Sequence, residues 1–290
     1  PPGRTPRLTE ISNVPIQQPH KRQELCVSQA KQNPGYVSQD YLQMLAERVQ
    51  HVKQRSYEAM EVREGMCVLD VGCGPAIDTH ALAKLVGPSG RVYGVDYDNE
   101  MISNATKKTE EHALASYVEH LVADATKLPF DDNTFDACRS ERVLQHVAHP
   151  EDVLAEMARV TKPGGRIVVV DTDFGTLSID SSEDRVERIL TRITTEISHY
   201  NGYAGRQLYR YFREQGLMHL QIEMLPFFVT QLQLMRKIFM LEKVEEMAIQ
   251  NEAITQDELA RWHASLEAAE AKQTLFGSAS QVMLTGLVPG

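Results

Sequence analysis

Cysteine is scarce in this chain. Four thiols, Cys26, Cys67, Cys73 and Cys138, are spread over 290 residues with neither metal-ligand spacing nor a paired pattern. That excludes a disulfide scaffold and a cysteine-built zinc site, and it points to free thiols in a reducing compartment. Basic residues are also in deficit: 30 Lys and Arg face 40 Asp and Glu, a formal charge of −10. Affinity for a phosphate backbone grows with the cations presented to it, so nucleic acid is excluded as a general partner. No run reaches the roughly 18 uninterrupted apolar residues that mark a membrane span. The opening Pro1-Pro2-Gly3-Arg4 contains no apolar segment of the kind a secretory signal needs. What is present is ordinary. With 42 % hydrophobic and 24 % charged residues, the expectation is a soluble, cytoplasmic α/β protein whose core needs no staples.

Six of the 13 prolines fall in the first 34 residues, so residues 1–20 read as a draped arm. Leu42, Leu45, Val49 and Val52 recur at helical spacing, predicting an amphipathic helix from Ser38 to about Met60. Short apolar runs at 66–71, 91–95, 118–122, 134–139 and 166–171 then alternate with helical patterns at 77–86, 98–113 and 150–160. This alternation predicts a parallel sheet covered on both faces, with ligands beyond the carboxyl ends of its strands. After 172 the pattern gives a helix around Val186, Ile189 and Ile193, another at 205–214, a strand at 217–229 and two helices within 231–272. The last strand is expected from Ser280 to Leu287. Residues 241–270 hold eight acidic and two basic side chains and read as a solvated face.

One constellation carries chemistry. Val68-Leu69-Asp70-Val71-Gly72-Cys73-Gly74-Pro75 is an apolar strand entering a glycine turn and a helix, where a ligand can approach the backbone and meet unpaired N–H groups. The next strand ends at Asp96, 24 residues after Gly72, placed to accept both hydroxyls of a ribose. An adenosine-containing ligand follows. It is not a dinucleotide: the G-x-G-x-x-G fingerprint needs a third glycine where this chain has Ile77, and Pro75 removes a backbone donor. A third strand ends in Val122-Ala123-Asp124-Ala125, with an acid able to accept from an adenine amino group. A fourth runs into Arg139-Ser140-Glu141-Arg142-Val143-Leu144-Gln145-His146.

In this ordered set the chain resembles the class I S-adenosylmethionine-dependent methyltransferases, of the branch containing ubiquinone/menaquinone and natural-product enzymes. The resemblance covers about 60–175, with 205 onward fitting the last two strands and an inserted lid. It implies a Rossmann-like, seven-stranded, mostly parallel sheet with the last strand antiparallel. The implied organisation is an N-terminal arm and helix over the cofactor site (1–60), a core (61–230), a helical lid insertion (231–272) and the final core strand (273–290). It implies S-adenosylmethionine as cofactor, with Asp70, Gly72 and Gly74 under its methionine part. Asp96 would hold the ribose, Tyr97 and Met101 would flank the adenine, and Asp124 and Ala125 would read the adenine edge. Arg139 and Glu141 would lie at its reactive end and Arg55 would reach its carboxylate.

On the acceptor side, His146 is the candidate general base or else a packing histidine, since Gln145 stands where many relatives have a first histidine. Asp171 and Asp173 are candidates to orient or replace it. Arg206 and Tyr203 are candidate substrate contacts, the latter within an aromatic set with Tyr200, Tyr209, Tyr211 and Phe212 that equally suits a core. The implied function is methyl transfer to a small molecule, oxygen or nitrogen slightly favoured over carbon, without a metal. A homodimer is left open, as are a protein-substrate methyltransferase and a non-catalytic cofactor-binding regulator. Asn33-Pro34-Gly35-Tyr36 is similar to the Asn-Pro-Pro-Tyr box of DNA adenine methyltransferases, but it has Gly for the second Pro and precedes the glycine turn.

Overall fold

A computed structural model of the protein describes residues 50–290. It opens with α1 (Gln50–Ala59) and continues through β1 (Cys67–Val71), α2 (Ile77–Val86), β2 (Arg91–Asp96), α3 (Asn99–Glu111) and β3 (Val118–Val122). Then come β4 (Phe135–Glu141), a 3-10 turn (Leu144–His146), α4 (Pro150–Val160) and β5 (Thr161–Ile179). The remainder is α5 (Asp184–Glu196), α6 (Ala204–Glu214), β6 (Met218–Val229), α7 (Leu232–Ile238), α8 (Leu241–Gln250), α9 (Gln256–Ala271) and β7 (Gly277–Leu287). The sheet order is β3-β2-β1-β4-β5-β7-β6. All neighbours through β5 are parallel, and β7 is antiparallel to both β5 and β6. The fold is the expected Rossmann-like one.

The central strands are continuous apolar runs because both of their faces are buried. Val68, Val92, Ala137, Val168 and Val170 turn to one face, packing with Leu82 and Val86 of α2 and with Leu190 and Ile193 of α5. Leu69, Val71, Cys138, Ile167 and Val169 turn to the other, against Leu154 and Met157 of α4 and Leu208 and Phe212 of α6. β2 and β4 lie on opposite sides of β1, so the chain leaves β1 in both directions. A crevice opens where those connections part, at the carboxyl ends of β1 and β4.

Several boundaries differ from the sequence expectation. β5 runs on to Ile179, its register to β7 shifting between Asp173 and Ser178. Residues 231–272 form three helices, not two, because Met240 adopts a left-handed φ of 51° and breaks the chain between α7 and α8. The acidic stretch 241–270 is not wholly solvated. Glu245 is buried, accepting from Trp262 Nε1 at 2.9 Å with His263 Nε2 at the same distance. Tyr211 and Phe212 belong to the core, and Tyr209 is exposed. Of the helix expected from Ser38, the described part is α1. The arm, Cys26 and Asn33-Pro34-Gly35-Tyr36 lie outside the described residues.

Three histidines meet away from the crevice, between α2, the end of α3 and β3. His80 is 5.1 Å from His112 and 6.4 Å from His120, centroid to centroid. His80 Nε2 pairs with Thr109 Oγ1 at 2.7 Å and His120 Nε2 with Thr79 Oγ1 at 2.9 Å. Burial, then His80, pushes His120 down to about 4. Burial also lowers His80, together with His112, Lys108 and Lys84. The unfolded chain therefore takes protons first, and this cluster's share of stability is lost as pH falls from about 6.5 toward about 4. Replacing His120 with glutamine is expected to cost roughly 1 kcal/mol at pH 7.5, with the gap to the parent narrowing at pH 5, in urea unfolding at both pH values. A pH-independent gap would refute it.

Candidate functional site

A cavity of about 480 Å3 opens at the crevice. Its first wall is the turn after β1. Gly72 and Gly74 take left-handed φ of 77° and 51°, and Ala76, one residue before α2, sits at 72°. This path lets Gly72, Cys73, Gly74, Pro75 and Ile77 line the cavity with their backbone close by. The second wall is the end of β2. Each oxygen of Asp96 accepts one backbone N–H at 3.0 Å, from Gly74 and from Asp98. A carboxylate oxygen has a further lone pair, so Asp96 can still accept from a vicinal diol. Burial pushes its pKa up, while those N–H donors act against the rise. Asp98 caps α3, accepting from Glu100 N at 2.8 Å and Met101 N at 3.3 Å, which fixes Met101 in the cavity wall beside Tyr97. Asp124 and Ala125, after β3, complete this half.

The other half is built from more distant segments. Glu141, Arg142, Val143, Gln145, His146 and Val147 come from the end of β4 and its turn. Phe174, His199 and Tyr200 face them, together with Ile238, Phe239 and Met240 between α7 and α8. Arg142 and Met240 both hold left-handed φ, 57° and 51°. A non-glycine residue there costs about 1–2 kcal/mol, and such residues concentrate at working sites. Gln145 Nε2 lies 2.9 Å from His146 Nε2, the His146 and His199 centroids are 5.8 Å apart, and Phe174 stacks on His199 at 4.1 Å. Burial, then His199, Arg142 and Lys243, pushes His146 down to about 3. Burial likewise brings His199 to about 4. Both imidazoles are neutral at physiological pH. Asp171 lies beneath this turn. Its Oδ2 accepts the Leu144 N–H at 2.8 Å, and burial raises its pKa to about 7.

Several sequence candidates lie elsewhere. Arg139 faces the sheet-side interior and is wholly buried, because β1 and β4 pair with Asp70 opposite Arg139. Its guanidinium donates to Ser56 Oγ (2.9 Å), Asp70 Oδ1 (3.1 Å) and Glu141, approaches Asp78 (3.3 Å) and stacks on the Tyr57 ring at 5.2 Å. Asp70 is therefore a structural partner below the cavity, not part of its lining. Burial raises its pKa to about 7 against the pull of Arg139, and its Oδ2 has no hydrogen-bond partner among the described residues. Glu141 both belongs to this network and lines the cavity. Arg55 does not reach the cavity: it is half exposed and held by Glu58 and Glu223, each at 2.8 Å. Asp173 is bound by Arg206 Nε at 2.6 Å, and Arg206 lies over the Tyr203 ring at 4.8 Å, a cluster that does not line the cavity.

Sequence reasoning missed Lys53, Phe174 and His199; Ile238–Met240 fall in the expected lid and Arg142 in the run after β4, though without an assigned role. Lys53 is buried, bridging Asp78 at 2.8 Å and Glu141 at 3.0 Å. Spacing signalled none of the three. Among the described residues no group of three or more His, Cys, Asp or Glu side chains is placed to hold a metal ion. No helix among them is long and apolar enough to cross a membrane.

The donor set suits S-adenosylmethionine. The glycine turn offers close backbone approach, Asp96 and Asp124 offer acceptors for ribose hydroxyls and an adenine amino group, and Tyr97 and Met101 offer a slot for a flat ring. The comparisons with known proteins agree. Residues 69–169 match the family described as a methyltransferase domain. A demethylmenaquinone methyltransferase of Geobacillus sp. is 43 % identical over 129 residues, 44 % of this chain and 55 % of that one. The YcgJ protein of Bacillus subtilis superposes with a TM-score of 0.60 at 20 % identity, covering 83 % of this chain and 99 % of that one. Phosphoethanolamine N-methyltransferase 2 of Haemonchus contortus, solved with S-adenosylmethionine, superposes with a TM-score of 0.52 at 18 % identity, covering 83 % and 53 %. The chain spans about half the length of the curated relatives it matches. In motif order, sheet topology and the match over residues 69–169, the chain carries a methyltransferase domain of the class I S-adenosylmethionine-dependent kind.

Proposed function

We propose that this chain transfers a methyl group from S-adenosylmethionine to a small-molecule acceptor. The observation that carries the reading is the single cavity shared by the glycine turn and Asp96 on one side and by Phe174, His199, Tyr200 and Ile238–Met240 on the other. Such a cavity suits a cofactor and a small acceptor end to end better than it suits a protein surface. The demethylmenaquinone methyltransferases among the relatives support a small molecule in the same way. Residues 231–272 act in this reading as a lid, with Ile238, Phe239 and Met240 as its inner surface.

The cofactor supplies a methyl group on a sulfonium, which leaves as a neutral thioether when an acceptor lone pair forms the new bond to carbon. The chain's own contribution is orientation and exclusion of water. Gly72, Gly74, Asp96, Tyr97, Met101, Asp124 and Ala125 fix the cofactor, and Lys53 holds Glu141 and Asp78 at its methionine end. Alignment of this kind contributes on the order of 7–11 kcal/mol in well-oriented systems. For an oxygen or nitrogen acceptor, His146 is the base proposed to take the acceptor proton, oriented by the turn that Asp171 holds. Its neutral imidazole has the required form, and an acceptor lying against it raises its basicity only by offsetting Arg142, Lys243 and burial. Asp173, tied to Arg206, is withdrawn from this role.

Calorimetric titration with S-adenosylmethionine, S-adenosylhomocysteine and NADH tests the reading. Micromolar binding of the first two is expected, weakened roughly 10- to 100-fold in Asp96→Ala, which removes two charge-assisted acceptors. Binding of NADH alone would refute it. Turnover of an acceptor panel, read by mass spectrometry, separates an enzyme from a regulator that binds without reacting.

A further inference from the structure

The two cations buried deepest near the cavity are fully engaged. Arg139 is shared among Ser56, Asp70, Asp78 and Glu141, and Lys53 between Asp78 and Glu141. Arg142 differs. It lines the cavity, its side chain is only 16 % exposed, and its ion pair is a 3.4 Å contact from Nε to Glu141 Oε1. No hydrogen bond forms across that contact: Arg142 Nε and Glu141 Oε1 both lack a hydrogen-bond partner among the described residues. A mostly buried guanidinium with an unmet donor is costly unless something supplies an acceptor.

The described residues do not supply one. Glu141, the nearest carboxylate, already receives Lys53 and Arg139. Asp171 is turned to the backbone N–H groups of Leu144 and Thr172, and Asp173 to Arg206. His146 and His199 face the same space as neutral rings, and Lys243 on α8 adds a second positive charge near both. Around these polar groups the wall is apolar or aromatic: Val143, Val147, Phe174, Tyr200, Ile238 and Phe239. The backbone of Arg142 is held left-handed, its N–H bonded to Val170 O at 2.8 Å. The side chain is thus presented to the cavity by a strained turn and is not left there by chance.

We propose that the acceptor is an apolar or aromatic molecule bearing a carboxylate, and that Arg142 receives that carboxylate. The inference rests on the methyl-transfer reading above. The planar fork of arginine matches a carboxylate in two parallel hydrogen bonds, which lysine cannot reproduce. Arg142 is in this sense a specificity residue: it selects acceptors by charge and fixes where the remainder of the molecule lies.

The experiment is a titration of matched aromatic carboxylates and carboxamides (benzoate with benzamide, 2-naphthoate with 2-naphthamide) into protein saturated with S-adenosylhomocysteine. Parent, Arg142→Met and Arg142→Lys proteins are compared, with thermal melts to confirm folding. Roughly tenfold or stronger preference for the carboxylate of at least one pair is expected in the parent, lost in Arg142→Met and partly kept in Arg142→Lys. Affinity for S-adenosylhomocysteine itself should change less than about threefold, well under one charged hydrogen bond. No charge preference, or no probe bound although S-adenosylhomocysteine binds, overturns the proposal. An equal loss of S-adenosylhomocysteine affinity in Arg142→Met also overturns it and assigns Arg142 to the cofactor's own carboxylate. A misfolded Arg142→Met leaves the parent's charge preference and the Arg142→Lys comparison to decide. Failure of the parent to bind S-adenosylhomocysteine would instead remove the methyl-transfer reading.

Discussion

Arg139→Met is expected to destabilise the folded protein by about 3–5 kcal/mol, measured by urea unfolding at pH 7.5. The guanidinium is wholly buried and stands among Asp70, Asp78 and Glu141. Methionine matches much of its length but none of its charge, so three carboxylates would share Lys53 alone below the cavity. Breaking a buried ion network from one side leaves desolvated charge behind, which is why the cost exceeds the net worth of the original pairs. The pH dependence has a definite sign. Asp70 already sits at about 7 through burial, above its ordinary value. Loss of Arg139 raises it further, so the folded variant holds a proton that the unfolded chain releases. Stability of the variant therefore falls as pH rises, and the deficit should be larger at pH 8 than at pH 5.5. Arg139→Met combined with Asp70→Asn should recover part of it. A deficit below about 1 kcal/mol, or one indifferent to pH, would contradict this account of the network.

Gly72→Ala is expected to abolish measurable cofactor binding while leaving a folded, weakened protein. Two effects add. The residue holds φ 77°, where a side chain costs about 1–2 kcal/mol. A methyl group there would stand 2.1 Å from Val143 Cγ2. Valine cannot turn aside cheaply, since its branched Cβ leaves few χ1 positions. Val143 is itself cavity wall, so its displacement narrows the space between the glycine turn and the β4 turn. Overpacking of this kind costs typically about 1–3 kcal/mol of stability. S-adenosylhomocysteine titration and urea unfolding of the same sample separate the two consequences. Adding Val143→Ala should restore part of the stability by removing the clash, while the backbone strain stays. Unchanged affinity in Gly72→Ala would mean that the cofactor does not approach this turn.

Much of the cofactor half was legible because its signals are local. The helices at 77–86 and 150–160 and the strand at 118–122 coincide with their apolar periodicity, and the glycine turn and Asp96 fall where spacing puts them. Arg55 shows how local reasoning fails. Successive residues of a helix turn by about 100°, so Lys53 and Arg55 lie on nearly opposite faces of α1. Which of them meets the cavity depends on how α1 is rotated over the sheet. Lys53 faces inward to Asp78 and Glu141, and Arg55 faces Glu223 of β6, 168 residues away. Asp173 and Arg206 failed in the same manner, each satisfying the other across 33 residues. The third helix within 231–272 was hidden because apolar spacing continues past Met240 while the backbone reverses there.

By itself the sequence determined the order of strands and helices, the glycine turn with Asp96 at the end of the next strand, and through them the resemblance to the methyltransferase domain. These follow from periodicity and from residues adjacent in the chain. Only the tertiary structure decided which charged side chains are spent on one another and which face the cavity. A charge is settled by partners brought from distant segments, and that pairing is fixed by helix rotation and strand register. It buried Arg139, turned Arg55 outward, and left Arg142 at the wall with no hydrogen-bond acceptor for its Nε among the described residues.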